Sequence, residues 1–214
     1  MAKSCRRLLV SEPLRKPMTR YNGISQFVRL VVDALWTRQR SANEDHATRT
    51  LERWTRIIAN DECSSDTLRI LLDELDQSSE HETLHTIQSC WIICMNAGDE
   101  DTEELRLCQK TLLNYVDAML LLTESENVYV REATWGCLGC CADRSFLEQK
   151  CEKLLRTESS CEVMLAFVCG HLRYGLPTSP THPMIINVLH AIEANGLPHQ
   201  VAEAYAIRTA HLIH

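Results

Sequence analysis

The sequence predicts an all-α fold, and three observations carry that expectation. Residues 18–176 contain no proline, and the 214-residue chain has only 7 glycines. A β-sandwich or barrel needs turn chemistry roughly every 8 to 12 residues, which such a stretch lacks. Apolar residues recur at helical spacing along most of the chain. Finally, one two-helix plan returns several times, so that about ten helices in consecutive pairs account for the length.

Residues 1–20 carry six basic side chains (Lys3, Arg6, Arg7, Arg15, Lys16 and Arg20) against Glu12 alone. They read as a flexible basic tail, with residues 21–214 as a single helical domain. Ile24, Phe27, Val28, Val31 and Leu35 form the apolar stripe of a first helix. Ser41 and Asn43 offer N-caps to a second, which buries Leu51, Trp54, Ile57 and Ile58. A third starts at Ser65 or Asp66 and runs through Leu68, Leu71, Leu72 and Leu75. A fourth extends from about Glu80 to Asn96, with Leu84, Ile87, Trp91 and Cys94 on one face and Gly98 as its stop.

The acidic run from Asp99 to Glu104 begins a fifth helix, because Thr102 can cap and carboxylates complement the positive end of a helix dipole. That helix is expected to continue to Leu122. Shorter ones follow at about 128–142, 145–156 and 160–174. The Pro-rich segment 176–183 leads into a helix with Pro183 in its first turn, and Gly196-Leu197-Pro198 separates the last helix.

Three places share the repeated plan: a Leu pair ending one helix, a short polar turn, then a helix rich in small residues. They are Leu71-Leu72, Leu121-Leu122 and Leu154-Leu155, with Val188-Leu189 as the opening of a fourth copy. A lone helical hairpin cannot bury its apolar face, so neighbours must stack and share one core. Small residues such as Ala133, Cys137 and Cys140 would let the next helix approach closely. The segment Leu121–Ala142 resembles a HEAT or armadillo repeat. Val130-Arg131-Glu132-Ala133 and Leu138-Gly139 match that family's pattern, whereas Trp135 and Gly136 depart from it. The neighbour at 154–172 keeps Val163 and Ala166 but has Met164 where the family carries Arg. The resemblance implies a right-handed α-solenoid and a non-enzymatic scaffold or adaptor that holds a protein partner on its concave surface. Trp54, Trp91, Arg131 and Trp135 are the candidate contact residues, each also able to serve as core or ladder packing.

Charge and composition narrow the partners. Without the tail, 16 basic and 28 acidic groups remain, a net of −12, which disfavours docking on phosphate backbones. The longest apolar runs, such as Trp91–Met95, are too short to span a bilayer. Eleven cysteines with no secretory pattern and no N-x-S/T acceptor read as reduced thiols of a cytosolic or nuclear protein. The basic tail also fits, less well, a mitochondrial targeting peptide, since Pro13 and Pro17 interrupt any amphipathic helix there. The last helix, Val201–His214, shows no polar cap and is expected to offer a face for a partner or for self-association.

One motif points to chemistry. His81-Glu82-Thr83-Leu84-His85 matches H-E-x-x-H, in which two His one turn apart bind zinc and the Glu acts as general base. Glu103 or Glu104 is the candidate third ligand. Against a hydrolase, no strand precedes the motif, and a helix start at Ser78-Ser79-Glu80 would leave both His hydrated. The pairs Cys137/Cys140 and Cys90/Cys94 place thiols on one helix face, with packing as the favoured role over zinc or redox chemistry. No phosphate-binding glycine loop and no G-x-S-x-G occurs, so no cofactor is expected. A nucleic-acid-handling helical repeat is the remaining rival to the scaffold.

Overall fold

The computed structural model describes residues 64–75, 80–100, 102–175 and 182–211. The expected tail, the helices around 24–35 and 44–58 with Trp54, and residues 176–181 of the Pro-rich connection lie outside the described residues. Among the described residues every regular element is helical.

The chain order is α1 (Ser65–Asp73), α2 (Glu80–Glu100), α3 (Thr102–Asn114), α4 (Val116–Leu122) and α5 (Val128–Cys141). Then α6 (Arg144–Phe146), a π turn (Leu147–Cys151) and α7 (Glu152–Thr157) form one continuous run. The last three are α8 (Cys161–Tyr174), α9 (Pro183–Asn195) and α10 (Pro198–His211).

Local chemistry explains most boundaries. Asn127 caps α5 by accepting the Tyr129 amide at 3.0 Å, and Ser160 caps α8 by accepting that of Val163 at 3.4 Å. Pro183 and Pro198 are the first residues of α9 and α10, where a missing N–H costs nothing. Glu103 and Glu104 stand in the first turn of α3, as the acidic run requires.

Several boundaries differ from expectation: α1 ends at Asp73 and not at Leu75, and the last helix starts at Pro198 and not at Val201. Helix α2 runs through Gly98 to Glu100 instead of stopping there. A Cβ at Gly98 would lie 2.2 Å from the Tyr174 ring, so this glycine makes room for an aromatic and does not end a helix. The single helix expected from Thr102 to Leu122 breaks at Tyr115, which leaves helical dihedrals (φ −113°, ψ 13°) while its amide bonds to Leu112 at 2.9 Å. The helix near 145–156 contains the π turn, a widening that side-chain periodicity does not reveal.

Packing centres on α5. It is buried from Glu132 through Cys141, all the way round, so it has helices on every side. Its most extensive neighbour is α8, followed by α2, with α3 and α4 covering further flanks. Helix α8 in turn carries α9 and touches α10, and α9 pairs with α10. Helix α1 lies on α2 and α3. The expected small residues Ala133, Cys137 and Cys140 are fully buried, but the closest backbone approach belongs to glycines. A Cβ on Gly139 would meet the Phe167 carbonyl oxygen at 2.5 Å, and one on Gly170 would meet that of Gly136 at 2.5 Å.

Because those obstacles are backbone, Gly170→Ala must separate α5 from α8. It is expected to cost about 1–3 kcal/mol, measured as a lowered urea midpoint at unchanged slope. An unchanged midpoint would mean that the two backbones stand further apart.

Candidate functional site

A groove of about 310 Å³ opens between the end of α7, the start of α8 and one face of α9. Leu155, Met164, Met184, Val188 and Ala191 give it apolar walls, and Arg156, Asn187 and Asn195 are its exposed polar lining. The α9 wall follows from helix geometry: 184, 187, 188, 191 and 195 fall on one side at i, i+3, i+4, i+7 and i+11. Methionine suits such a wall, since its unbranched thioether adapts to the shape of an incoming side chain.

Glu158, at one end of the groove, is held by a network that also fixes Arg131. The Arg131 guanidinium donates to Glu158 twice, from Nε at 2.8 Å and from Nη2 at 3.3 Å. Its Nη1 donates to the Ser125 and Glu126 carbonyls at 2.8 and 3.2 Å. The Glu158 carboxylate further accepts the Ser159 and Ser160 amides at 3.0 and 2.9 Å. One ion pair therefore ties the turn before α5 to the turn before α8. The side chains are 19% and 6% exposed, enough burial for the fork geometry to count. Burial alone would raise the Glu158 pKa, but Arg131 and the two amides outweigh it and hold the carboxyl below its ordinary value of 4.5.

Arg131, a candidate contact residue by sequence, is thus engaged within the chain. Trp91 and Trp135 are corrected more fully, because they are interior. Trp135 is 1% exposed and meets Phe167 edge-on at 5.4 Å between ring centroids. Trp91 is 5% exposed, and its indole occupies the space a side chain at position 136 would need. The two departures from the repeat pattern, Trp135 and Gly136, are both core features. Trp54 lies outside the described residues.

The H-E-x-x-H segment falls in the first turns of α2. Glu82 is exposed, while His85 is buried and not hydrated as expected; the His81 side chain lies outside the description. Glu104 accepts the Ser65 amide, and Glu103 pairs with Arg106 at 3.2 Å, so both proposed third ligands have local partners. Among the described residues no three His, Cys, Asp or Glu side chains gather as a metal site.

Six buried cysteines face the interior: Cys90 and Cys94 of α2, Cys108 of α3, and Cys137, Cys140 and Cys141 of α5, with no disulfide among them. The Cys108 thiol and burial push the Cys94 pKa well up, and burial does the same for Cys137 and Cys140. Cys141 is pushed up to about 12, again by burial. Cys94, Cys137, Cys140 and Cys141 are therefore protonated packing groups, the opposite of activated nucleophiles. Deeper in α2, Gln88 is fully buried and neither amide atom has a hydrogen-bond partner among the described residues.

Comparison with known proteins returns no matching family model, no matching curated protein and no matching solved structure. The groove residues Met164, Met184, Asn187 and Val188 were missed by sequence reasoning. The sequence placed a helix here by Pro183 in its first turn, but did not show which of its faces stays open. Glu158 escaped because its partner Arg131 stands 27 residues away, with no local signature joining them.

The ion pair yields a pH prediction. Since the folded pKa of Glu158 lies below 4.5, its contribution is present above that value and is lost as pH falls through the folded pKa. Glu158→Gln is therefore expected to be less stable at pH 7, and its thermal midpoint should fall less steeply than the wild type's in acid. The thiols yield another: the six interior cysteines should resist a disulfide reagent in the native protein and react only at the rate of unfolding. Fast modification of Cys137 or Cys140, read by mass spectrometry, would contradict their burial.

Proposed function

We propose that this protein is a non-enzymatic scaffold, built as a right-handed α-solenoid of HEAT- or armadillo-like hairpins, that holds a protein partner. The observation that carries this reading is the order of packing. The second helices of the three repeated pairs, α2, α5 and α8, lie against one another in sequence order, and the pair α9–α10 follows on α8. That succession is what stacked hairpins require, each shielding the apolar face of the one before.

The groove beside α9 supports the binding half of the reading. Buried methionines with an open, partly polar edge suit an apolar anchor of a protein partner. Helix α10 supplies a second candidate surface for a partner or another copy, through Leu197 just before it and Tyr205 on it, 57% and 56% exposed. The Tyr205 ring is held beneath the Arg208 guanidinium at 5.3 Å, which Glu193 fixes at 2.9 Å. An aromatic so positioned loses little freedom on binding. No described helix is long and apolar enough to cross a membrane. Cysteine used as a buried packing residue supports a reducing compartment, cytosol or nucleus.

Affinity purification with quantitative mass spectrometry tests the scaffold role, using wild type, Ala191→Arg in the groove and Tyr205→Arg on α10. Proteins held by the wild type should fall about tenfold or more with one of the two variants, with helical content and melting temperature unchanged. A chain that retains nothing above a tag-only control would refute the scaffold. Stoichiometric zinc lost with His85→Ala would instead favour the hydrolase.

A further inference from the structure

Helix α9 ends at Asn195, and the residue after it has no room for a side chain. A Cβ on Gly196 would meet the Ile192 carbonyl oxygen at 2.6 Å and the Gln200 side-chain oxygen at 3.2 Å. Packing therefore places glycine directly after asparagine. That pairing is the least protected against loss of the asparagine amide, because no side chain shields the following backbone nitrogen. The other described asparagines, Asn96, Asn114, Asn127 and Asn187, precede Ala97, Tyr115, Val128 and Val188. The chain's second Asn-Gly pair, Asn22-Gly23, lies outside the described residues. Asn195 is also exposed, and it belongs to the polar lining of the groove.

The reaction at such a pair needs only water. The glycine nitrogen gives its proton to hydroxide and attacks the asparagine Cγ. The N–Cγ bond forms, the Cγ–Nδ2 bond breaks, and the side-chain nitrogen takes a proton from water and leaves as ammonia. Water then opens the cyclic imide at either carbonyl, which yields aspartate or its β-linked isomer. Both products carry a carboxylate where the amide stood.

The closed junction withholds both partners of that attack. The Gly196 amide donates to the Ile192 carbonyl at 2.7 Å, and Asn195 Nδ2 donates to the Ala191 carbonyl at 3.0 Å. The next amide, that of Leu197, donates to Gln200 Oε1 at 2.6 Å, and Gln200 Nε2 donates to Glu162 of α8 at 2.7 Å. Glu162 in turn accepts the Ser160 hydroxyl at 3.0 Å. Gln200 is 3% exposed, so this clamp on the junction is interior. A helix end held by its last turn opens far more readily than the helix as a whole. An opened turn frees the Gly196 nitrogen and the Asn195 side chain together.

We propose that Asn195 is a site of spontaneous deamidation, gated by opening of the α9–α10 junction. As the chain ages, the groove gains a carboxylate in place of a neutral amide. The new charge stands at the negative end of the α9 dipole, where an anion is disfavoured. The proposal concerns the groove itself and holds whether or not a protein partner occupies it.

The test is to age the full chain in mildly alkaline buffer, native and unfolded in guanidinium chloride, and to follow each asparagine by peptide mass spectrometry. Aspartate and its isomer should accumulate at position 195 of the native chain, about tenfold to about a hundredfold more slowly than in the unfolded chain. Asn96, Asn114, Asn127 and Asn187 should stay intact in the native sample. Gln200→Ala removes the clamp and should speed native conversion about threefold or more. A native chain still intact at Asn195 after about a hundred unfolded half-times would overturn the proposal. Native conversion at the unfolded rate would overturn it too, since no gate would then exist. So would a Gln200→Ala chain that melts like the wild type yet converts no faster; if that variant does not fold, the wild-type comparison decides alone.

Discussion

The close approach of α5 to α8 is the constraint on which the rest of the structure depends. Gly139 and Gly170 each bring one helix against the backbone of the other, with no space for even a methyl group. Glycine inside a helix costs roughly 1 kcal/mol relative to alanine, so α5, with two, is a poor helix by propensity alone. Its stability comes from dense contact on all sides, where dispersion and area removed from water outweigh the local penalty. Trp135 and Trp91 use the space so created, one packing on Phe167 and the other on Gly136.

That crowding accounts for the cysteines. A helix enclosed by neighbours needs side chains that are apolar and small, and α5 offers Ala133, Cys137, Cys140 and Cys141 besides its glycines. Cys fills such positions as a compact hydrophobe. Six thiols then meet because three helices each present small residues to the same interior, without any demand from redox or metal chemistry. The raised pKa values of Cys94, Cys137, Cys140 and Cys141 follow from this placement.

Around the tight centre, the edges are fastened by polar chemistry. The Arg131–Glu158 pair joins two turns that both precede buried helices, and it completes the caps of the second. The His182 cap starts the next hairpin, and the buried His171 ring ties α8 to the end of α5. The groove sits between these two fastenings, so its shape depends on both: Glu158 marks one end, and α9 supplies a wall whose first turn is set by His182.

The sequence by itself determined the helical class and most helix limits, because proline absence, 3.6-residue periodicity and capping residues act over a few neighbouring positions. It placed α5 and α8 almost to the residue and α9 by its Pro183 start, whereas the last helix, expected at Val201–His214, runs from Pro198 to His211. It could not tell a helix-ending glycine from a space-making one: Gly98 does its work against Tyr174, 76 positions later in the chain. For the same reason Trp91, Trp135 and Arg131 stood as contact candidates beside the favoured core or ladder role, since a large side chain and a cation are equally at home on a surface and in a packed interface. Only the tertiary structure decided these roles, along with the ion pair, the thiol cluster and the groove. Each is an encounter between helices distant in sequence, and the free energy that selects it exists only once those helices have met.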